Sequence, residues 1–269
     1  MSFSTRVFIF DLDGVLYRGE TAVPHAAEAL SALRQRTPAV RLFFLTNNST
    51  QPRRVFAEKM ARLGMPATED EIVTSASATA LYIASQGDAG KTALVVGGDG
   101  IIDELTRIGM TVRSAGEPEV SGERIDYVVV GLDRSFRYEA LFRAQQAILN
   151  GAVFLATNRD GQYPVEGGLI PGAGAMVAAI EACADVRPIV IGKPETLGLR
   201  MILDMAGATP PEAVMIGDRL DTDIACGNRL GMPTVLVLTG VTTPERVLDT
   251  SLLPAEMRPG RILTDLSLL

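Results

Sequence analysis

The chain has 269 residues, of which 47% are hydrophobic and 21% are charged, a composition typical of a globular protein with a substantial core and a length that favours roughly two domains. A formal net charge of -7 argues against nucleic acid as a partner, because binding to a phosphate backbone requires a basic surface. An anionic small molecule could still bind, provided that a local cation or metal offsets the net charge.

The first predicted element is a strand over Val7–Phe10, which leads directly into Asp11 and Asp13. Four apolar residues without polar alternation predict a strand covered on both faces, as in a parallel sheet. A helix is predicted over 24–34, a strand over 41–45 and a helix over 53–63. This alternation predicts a parallel sheet with crossover helices.

The middle of the chain is predicted to form a second unit. Strands are expected over 92–96, 127–130 and 153–156, and helices over 101–108, 138–150 and 173–183. The first pattern then resumes with strands over 188–191, 213–216 and 234–238. One helix is predicted to end at Ala206 and another to span 223–230. We therefore predict an α/β fold, in which residues 1–80 and 188–269 form a doubly wound, Rossmann-like parallel sheet and residues 81–187 form an inserted α/β cap domain.

Polar side chains follow four of the predicted strands. They are Asp11 and Asp13, Thr46 and Asn47, Lys193, and Asp218 with Asp223. In an open α/β sheet, ligands bind at the carboxyl ends of the strands. Each residue alone has a structural explanation, such as a turn or a helix cap. The same explanation is much less expected to account for polar residues at the ends of four separate strands. The sequence predicts one site at this edge.

These residues supply the groups needed for phosphoryl transfer through a covalent aspartyl-phosphate. Asp11 is the predicted nucleophile, because a carboxylate is ionised at neutral pH and needs no activating base. Asp13 is predicted to protonate the leaving oxygen and then to activate water, which requires a pKa raised by neighbouring carboxylates. Thr46 and the adjacent backbone at Asn47 are expected to hold phosphoryl oxygens, and Lys193 is expected to neutralise charge on the nucleophile and the phosphate.

A divalent cation is also predicted, because Asp11 and a phosphate ester are both anionic and repel each other. Mg²⁺ favours a few carboxylates together with substrate oxygens and waters. Asp11 and Asp218 are the predicted side-chain ligands. Asp223 is expected to orient the metal ligands or Lys193 rather than to bind the metal directly.

Several other features restrict the chemistry and the location. The single histidine, His25, cannot supply both a metal cluster and a catalytic dyad. Cys183 and Cys226 lack metal-ligand spacing and are interpreted as buried thiols in a reducing compartment. The amino-terminal stretch has no signal-peptide pattern, and no segment approaches the ~20 apolar residues of a membrane span. We expect a cytoplasmic protein without a membrane partner.

The motifs D-L-D-G-V-L, L-T-N-N-S, G-K-P and G-D-R-L-D-T-D resemble, in this order, the four motifs of the haloacid dehalogenase superfamily of phosphatases. The insertion resembles the large α/β cap of a subgroup that contains NagD-like, p-nitrophenylphosphate and phosphoglycolate or pyridoxal phosphate phosphatases. The resemblance implies hydrolysis of a small phosphorylated metabolite. It also implies that the backbone carbonyl of Asp13 binds Mg²⁺ and that a homodimer forms through the cap.

A loop in the predicted cap carries further candidates. The segment A-T-N-R-D-G-Q-Y-P at 156–164, followed by P-G-A-G at 171–174, resembles the substrate-specificity loop of that subgroup and the helix after it. The resemblance makes Asn158, Arg159, Asp160 and Tyr163 candidate specificity residues. Arg159 stands where the family commonly has proline. It either contacts a second anionic group of the substrate or is a solvated loop arginine, and we favour the second because exposed arginine is the norm.

We expect, in sum, a Mg²⁺-dependent phosphatase of small phosphomonoesters. Two alternatives on the same fold are a phosphomutase and a non-catalytic sugar-phosphate sensor, and the complete set of motifs argues against the latter. A receiver-type phospho-acceptor module also uses aspartates, a threonine and a lysine around Mg²⁺. Such a module would not need Asp13 at this spacing or an inserted cap, so we consider it a poor match.

Overall fold

The computed structural model describes residues 5–118, 122–165 and 168–269. Residues 1–4 of the predicted core, and residues 119–121 and 166–167 of the predicted cap, lie outside the described residues. The strands are β1 (Val7–Phe10), β2 (Tyr17–Arg18), β3 (Thr21–Ala22), β4 (Arg41–Thr46), β5 (Ile72–Thr74), β6 (Thr92–Val96), β7 (Thr111–Ser114), β8 (Tyr127–Val130), β9 (Val153–Ala156), β10 (Gln162–Val165), β11 (Gly168–Pro171), β12 (Ile189–Val190), β13 (Ala213–Gly217), β14 (Thr234–Val237) and β15 (Arg261–Leu263).

Helices connect most of these strands. The α-helices are α1 (Ala26–Arg34), α2 (Arg53–Arg62), α3 (Ser75–Ser85), α4 (Asp99–Arg107), α5 (Tyr138–Leu149), α6 (Ala173–Ala184), α7 (Leu197–Ala206) and α8 (Ala225–Arg229). Short 3₁₀-helices span Glu69–Glu71, Pro210–Glu212, Pro244–Val247, Thr250–Leu252, Ala255–Met257 and Leu266–Leu268, and a π-helical turn spans Leu220–Ile224. Within the described ranges, no helix has both the length and the apolar character required to cross a membrane.

The contacts between residues divide the chain into two compact units. The first unit contains the chain up to Thr46, Arg53–Val73 and Lys193–Leu269, and the second contains Asn47–Pro52 and Thr74–Gly192. Parallel sheets flanked by helices confirm the predicted α/β class. The assignment of residues 81–187 as an inserted cap on a core stays a prediction.

The sheet of the first unit has the strand order β15-β14-β13-β1-β4-β5. The pairs β1–β4, β1–β13, β13–β14 and β14–β15 are parallel. The chain adds β4 and β5 on one side of β1 and later adds β13, β14 and β15 on the other side. The strand order therefore reverses beside β1, and the carboxyl ends of β1 and β13 meet at the position where open α/β sheets bind ligands.

The unbroken apolar run of β1 is explained by burial on both faces of this sheet. Phe8 and Phe10 pack in a cluster that includes Leu30 of α1, whereas Val7 and Ile9 pack in a cluster that includes residues of α7. All four β1 residues are buried. Because successive side chains of a strand point to opposite faces, a strand between two helical layers needs apolar residues at every position.

The second unit has its own parallel sheet, in the order β12-β9-β8-β6-β7. Alternate residues of β6, β8 and β9 again face two clusters, one formed with α3 and α4 and the other with α5 and α6. The loop Asn47–Pro52 packs against the start of α4 in this unit. A Cβ atom at Gly100 would lie 2.4 Å from the carbonyl oxygen of Gln51, so this position requires glycine for close backbone packing.

Some elements differ from the sequence-based expectation. The strand predicted over 188–191 is β12, which pairs with β9 in the sheet of the second unit and does not belong to the sheet that contains β1. The helix predicted over 223–230 is instead the π-turn Leu220–Ile224 followed by the short helix α8. Helix α3 was not predicted, because its residues Ser75–Ala80 are buried on all sides and show no amphipathic periodicity. The hairpins β2–β3 and β10–β11 were also missed, since short strands give weak sequence patterns.

Candidate active site

The predicted aspartates of the first unit converge at the carboxyl edge of its sheet. Asp11 directly follows β1 and Asp218 directly follows β13, and these two strands are neighbours. Thr46 is the last residue of β4, the neighbour of β1 on its other side. All three residues are buried. Neighbouring parallel strands thus bring together residues that are far apart in the sequence.

Lys193 joins two of the carboxylates. Its ammonium group donates hydrogen bonds to Asp11 Oδ1 at 2.7 Å, to Asp223 Oδ1 at 2.6 Å and to the carbonyl oxygen of Leu45 at 3.0 Å. An ammonium group has three N–H donors, and these three acceptors match them. Burial would lower the pKa of Lys193, but Asp11 and Asp223 raise it above its ordinary value. Lys193 therefore carries its charge inside the site.

Asp223 acts as an anchor within this cluster. While its Oδ1 accepts from Lys193, its Oδ2 accepts the backbone N–H groups of Asp218 at 3.2 Å and Arg219 at 3.1 Å. The π-turn Leu220–Ile224 brings the fully buried Asp223 back to the end of β13. Single π-turns are frequent at functional sites. This geometry supports the expectation that Asp223 orients Lys193.

The carboxylate of Asp218 is held on one side only. Its Oδ2 accepts a hydrogen bond from the backbone N–H of Val241 at 2.6 Å. Its buried Oδ1 has no hydrogen-bond partner among the residues that the structure describes. Gly14 (φ 87°) and Gly240 enclose the carboxylate, since a Cβ atom would lie 2.7 Å and 1.9 Å, respectively, from Asp218 Oδ2. A buried oxygen without a partner is costly unless a ligand satisfies it.

These residues fit a divalent cation. One carboxylate oxygen from each of Asp11, Asp218 and Asp223 lies within 4.8 Å of the others. Three carboxyl groups and a single ammonium group, that of Lys193, give this buried cluster an excess of acidic groups. Burial raises the pKa of Asp218 to about 7 and the pKa of Asp11 well above its ordinary value. A cation would favour the ionised forms, and hard oxygen donors suit Mg²⁺ or Ca²⁺.

Asp13, two residues after Asp11, is partly buried and forms a β-bridge with Tyr17. Burial raises the pKa of Asp13, whereas the charges of Lys59 and Lys193 lower it. The predicted direction of the pKa shift therefore agrees with the structure, but the predicted cause was wrong, because desolvation and not the neighbouring carboxylates raises the pKa. Lys59 was not identified from the sequence as a charge that acts on Asp13, since nothing in the sequence connects a lysine of helix α2 with Asp13.

The remaining candidates lie in the second unit and contact one another. Asn47 Nδ2 donates to Asp160 Oδ2 at 3.1 Å, and Asn158 Nδ2 donates to the carbonyl oxygen of Asn47 at 2.8 Å. Asn48 Nδ2 donates to the hydroxyl oxygen of Tyr163 at 2.9 Å. The side chain of Asn47 is thus engaged with the loop after β9.

Arg159 takes a different direction from its neighbours in this loop. Its Nη2 donates to Glu181 Oε2 of α6 at 2.6 Å, and 45% of its side chain is exposed. An exposed ion pair contributes little to stability. This position supports the interpretation of Arg159 as a solvated loop arginine.

Both cysteines are free thiols, but they differ in burial. Cys226 is buried in α8, whereas Cys183 of α6 is only partly buried, so the prediction of two buried thiols was wrong for Cys183. Burial raises the pKa of Cys226 to about 12, and the thiolate is the form that reacts.

Ellman's reagent at pH 8 is therefore expected to label one thiol in the native protein and two in guanidinium chloride. Cys183→Ala should remove the native signal, and Cys226→Ala should leave it unchanged. Rapid labelling of Cys226 in the native protein would contradict its burial.

Comparisons with known proteins identify similar sequences and structures. A family model described as haloacid dehalogenase-like hydrolase matches residues 8–111, and a model described as HAD-hydrolase-like matches residues 190–269. An acid sugar phosphatase of Staphylococcus epidermidis is 37% identical over 230 residues, which cover 85% of each chain.

Two solved structures are similar over nearly all of this chain. The p-nitrophenyl phosphatase from Archaeoglobus fulgidus has a TM-score of 0.86 at 33% identity and covers 97% of each chain. A glycerol phosphate phosphatase from Mycobacterium tuberculosis, in complex with magnesium, has a TM-score of 0.87 at 32% identity and covers 98% of this chain and 76% of its own.

Proposed function

Because this chain belongs to the haloacid dehalogenase-like hydrolases, we propose that it hydrolyses small phosphomonoesters through a covalent phosphate on Asp11, with Mg²⁺ as its cation. It is a phosphatase, and it acts on small phosphorylated substrates, as its relatives do. The observation that carries the proposal is the buried bridge of Lys193 between Asp11 and Asp223, beside the Asp218 oxygen that lacks a partner.

The bridge explains how a carboxylate could attack an anionic ester. The ammonium group of Lys193 lies 2.7 Å from Asp11 Oδ1 and opposes the rise in the pKa of Asp11 that burial causes. The same positive charge reduces the repulsion between Asp11 and phosphoryl oxygens. Asp223 holds Lys193 in place, so the charge is oriented before the substrate arrives.

The reaction has two steps. In the first, a carboxylate oxygen of Asp11 attacks phosphorus, the bond from phosphorus to the ester oxygen breaks, and protonated Asp13 gives its proton to the leaving oxygen. In the second, Asp13 takes a proton from water, and the water oxygen attacks phosphorus. The bond between Asp11 and phosphorus breaks, inorganic phosphate leaves and both carboxyl groups return to their initial states.

The proposed cation site uses the side chains of Asp11 and Asp218, and the family resemblance adds the carbonyl oxygen of Asp13. When bound, Mg²⁺ supplies positive charge that offsets the repulsion between the nucleophile and the phosphoryl oxygens. Asp223 already uses both oxygens for Lys193 and two backbone N–H groups, which supports a role in orienting the site.

The phosphoryl oxygens are proposed to contact Thr46, Lys193 and the backbone N–H of Asn47. The backbone of Asn47 is favoured over its side chain, because its side-chain amide donates to Asp160. The names of the relatives, as phosphatases of sugar phosphates, glycerol phosphate and p-nitrophenyl phosphate, support a small ester as the substrate. We also propose a cytoplasmic location, on the basis of the sequence, and a homodimer through the cap, on the basis of the family resemblance.

The test of this function is phosphate release from p-nitrophenyl phosphate, glycerol phosphate and a sugar phosphate. Treatment with EDTA followed by gel filtration is expected to remove the activity, and added Mg²⁺ is expected to restore it. Failure to hydrolyse any of these esters would refute the proposed activity. Full activity after exhaustive chelation would refute the proposed cation alone.

Mg²⁺ affinity can be measured without turnover, by isothermal titration calorimetry. Asp218→Asn is expected to abolish the binding heat, and Gly240→Ala to weaken affinity by about tenfold or more, because its Cβ atom would displace the Asp218 carboxylate. Asp221→Asn is the matched control, since Asp221 is exposed and pairs with Arg219. Equal binding by Asp218→Asn and Asp221→Asn would exclude Asp218 as a ligand.

A further inference from the structure

The loop Asn47–Pro52, here called the strand-end loop, directly follows Thr46 of β4 but belongs by its contacts to the second unit. Its partners lie in the stretch 157–163, here called the β9 loop, and at the start of α3. The strand-end loop therefore continues a strand of the first unit while it is held by hydrogen bonds of the second.

Asn47 is held at both its backbone and its side chain. Its carbonyl oxygen accepts from Ser75 Oγ at 2.7 Å and from Asn158 Nδ2 at 2.8 Å. Its side-chain amide donates to Asp160 Oδ2 at 3.1 Å. Ser75 and Asn158 are buried, so these bonds are shielded from water. Two acceptor contacts and one donor contact together fix the position of Asn47, the residue that follows Thr46.

The next two residues of the strand-end loop are held in the same way. Asn48 Nδ2 donates to the hydroxyl oxygen of Tyr163 at 2.9 Å, and the buried hydroxyl groups of Ser49 and Thr157 are 3.1 Å apart. Within the β9 loop, the backbone N–H of Asp160 donates to Asn158 Oδ1 at 3.1 Å. The two loops thus form a continuous hydrogen-bonded network.

We propose that Asp160 and Tyr163 are positioning residues, which act through Asn47 and Asn48 to fix the strand-end loop for phosphoryl binding rather than contacting the substrate. The inference rests on the proposed function, in which Thr46 and the Asn47 backbone hold phosphoryl oxygens. In this role the β9 loop supports binding of the phosphoryl group, which all phosphomonoesters share, without contacting it. The family resemblance, by contrast, makes Asp160 and Tyr163 candidates for substrate specificity.

The two roles differ in their kinetic consequences. Loss of a positioning bond loosens the strand-end loop and weakens the binding of every phosphoryl group equally. This includes the binding of inorganic phosphate, which has no leaving group. Loss of a direct contact to the leaving group changes the ratio of kcat/KM between two esters and leaves the affinity for inorganic phosphate unchanged. The inhibition constant of inorganic phosphate therefore separates the two roles.

The experiment compares Asp160→Ala, Asn47→Ala and the double variant in the full-length enzyme. Asp160→Ala is expected to raise the inhibition constant of phosphate by about fivefold and to lower kcat/KM for each ester by a similar factor, as the loss of one typical hydrogen bond predicts. The double variant is expected to be no worse than the poorer single variant, because both changes remove the same bond.

Two further variants serve as controls. Asp160→Asn keeps an oxygen that can accept from Asn47 and is expected to restore nearly wild-type phosphate inhibition. Asp126→Ala removes a carboxylate of similar burial that accepts the backbone N–H of Thr92 at 3.1 Å. Asp126 precedes β8 and so lies at the opposite edge of the sheet from the β9 loop, and its loss is expected to leave phosphate inhibition unchanged.

The inference is overturned if Asp160→Ala keeps the wild-type inhibition constant, if it changes the ratio of kcat/KM between esters, or if the effects of Asp160→Ala and Asn47→Ala add. If circular dichroism shows that Asp160→Ala is not folded, Tyr163→Phe applies the same test to the hydrogen bond between Asn48 and Tyr163. A wild-type enzyme without hydrolytic activity would instead refute the proposed function, which is a separate result.

Discussion

Asp11→Asn is expected to lower the rate of p-nitrophenyl phosphate hydrolysis by at least about 10⁴-fold, because an amide is not an effective nucleophile toward phosphorus. The fold should survive, since the amide oxygen can still accept the hydrogen bond that Lys193 gives to Asp11 Oδ1. Steady-state release of p-nitrophenol is the direct measurement.

The matched control for this change is Asp221→Asn, which makes the same substitution at an exposed carboxylate. Circular dichroism and the thermal midpoint should show that both variants are folded. If the folded Asp11→Asn variant retained wild-type turnover, Asp11 could not be the nucleophile, and the mechanism would fail at its first step.

Asp13→Ala is expected to affect the two steps unequally. The p-nitrophenolate group leaves without a proton, so the first step should persist for p-nitrophenyl phosphate while hydrolysis of the intermediate loses its base. A burst of p-nitrophenol equal to the enzyme concentration should precede a steady rate that is lower by about 10²–10⁴-fold. For a sugar phosphate, whose alkoxide leaving group needs a proton, no burst is expected.

Stopped-flow absorbance measures this burst, and phosphate release measures turnover of the sugar ester. Normal turnover of both esters by Asp13→Ala would remove Asp13 from proton transfer. A loss of the burst with p-nitrophenyl phosphate would show that Asp13 is needed for the first step even when the leaving group requires no proton.

The positions of Asp11 and Asp218 were open to prediction, because each follows an apolar strand and parallel strands end at one edge. The sequence also indicated a role for Asp223 beside Lys193, which the 2.6 Å contact supports. What it did not indicate was the π-turn that brings Asp223 there. A pattern of apolar residues reports a helical segment but not a local change of its hydrogen bonding.

Contacts made by separate loops were beyond a single sequence. The carboxylate of Asp218 is enclosed by Gly14 and Gly240, which no local pattern connects. Likewise Asn47 and Asp160, which are 113 residues apart, meet through the strand-end loop. Such pairs depend on how folded segments pack, whereas strand patterns depend only on which faces are buried.

The central claim is a covalent phosphate on Asp11, and chemical trapping tests it most directly. Asp13→Ala is mixed with p-nitrophenyl phosphate, quenched during the burst and treated with borohydride, which reduces an aspartyl-phosphate to homoserine. Mass spectrometry of the digested protein is expected to find homoserine at position 11 and at no other aspartate, and to find none in Asp11→Asn. Hydrolysis that proceeds with a burst but leaves Asp11 unmodified, or that converts a different aspartate, would contradict the account.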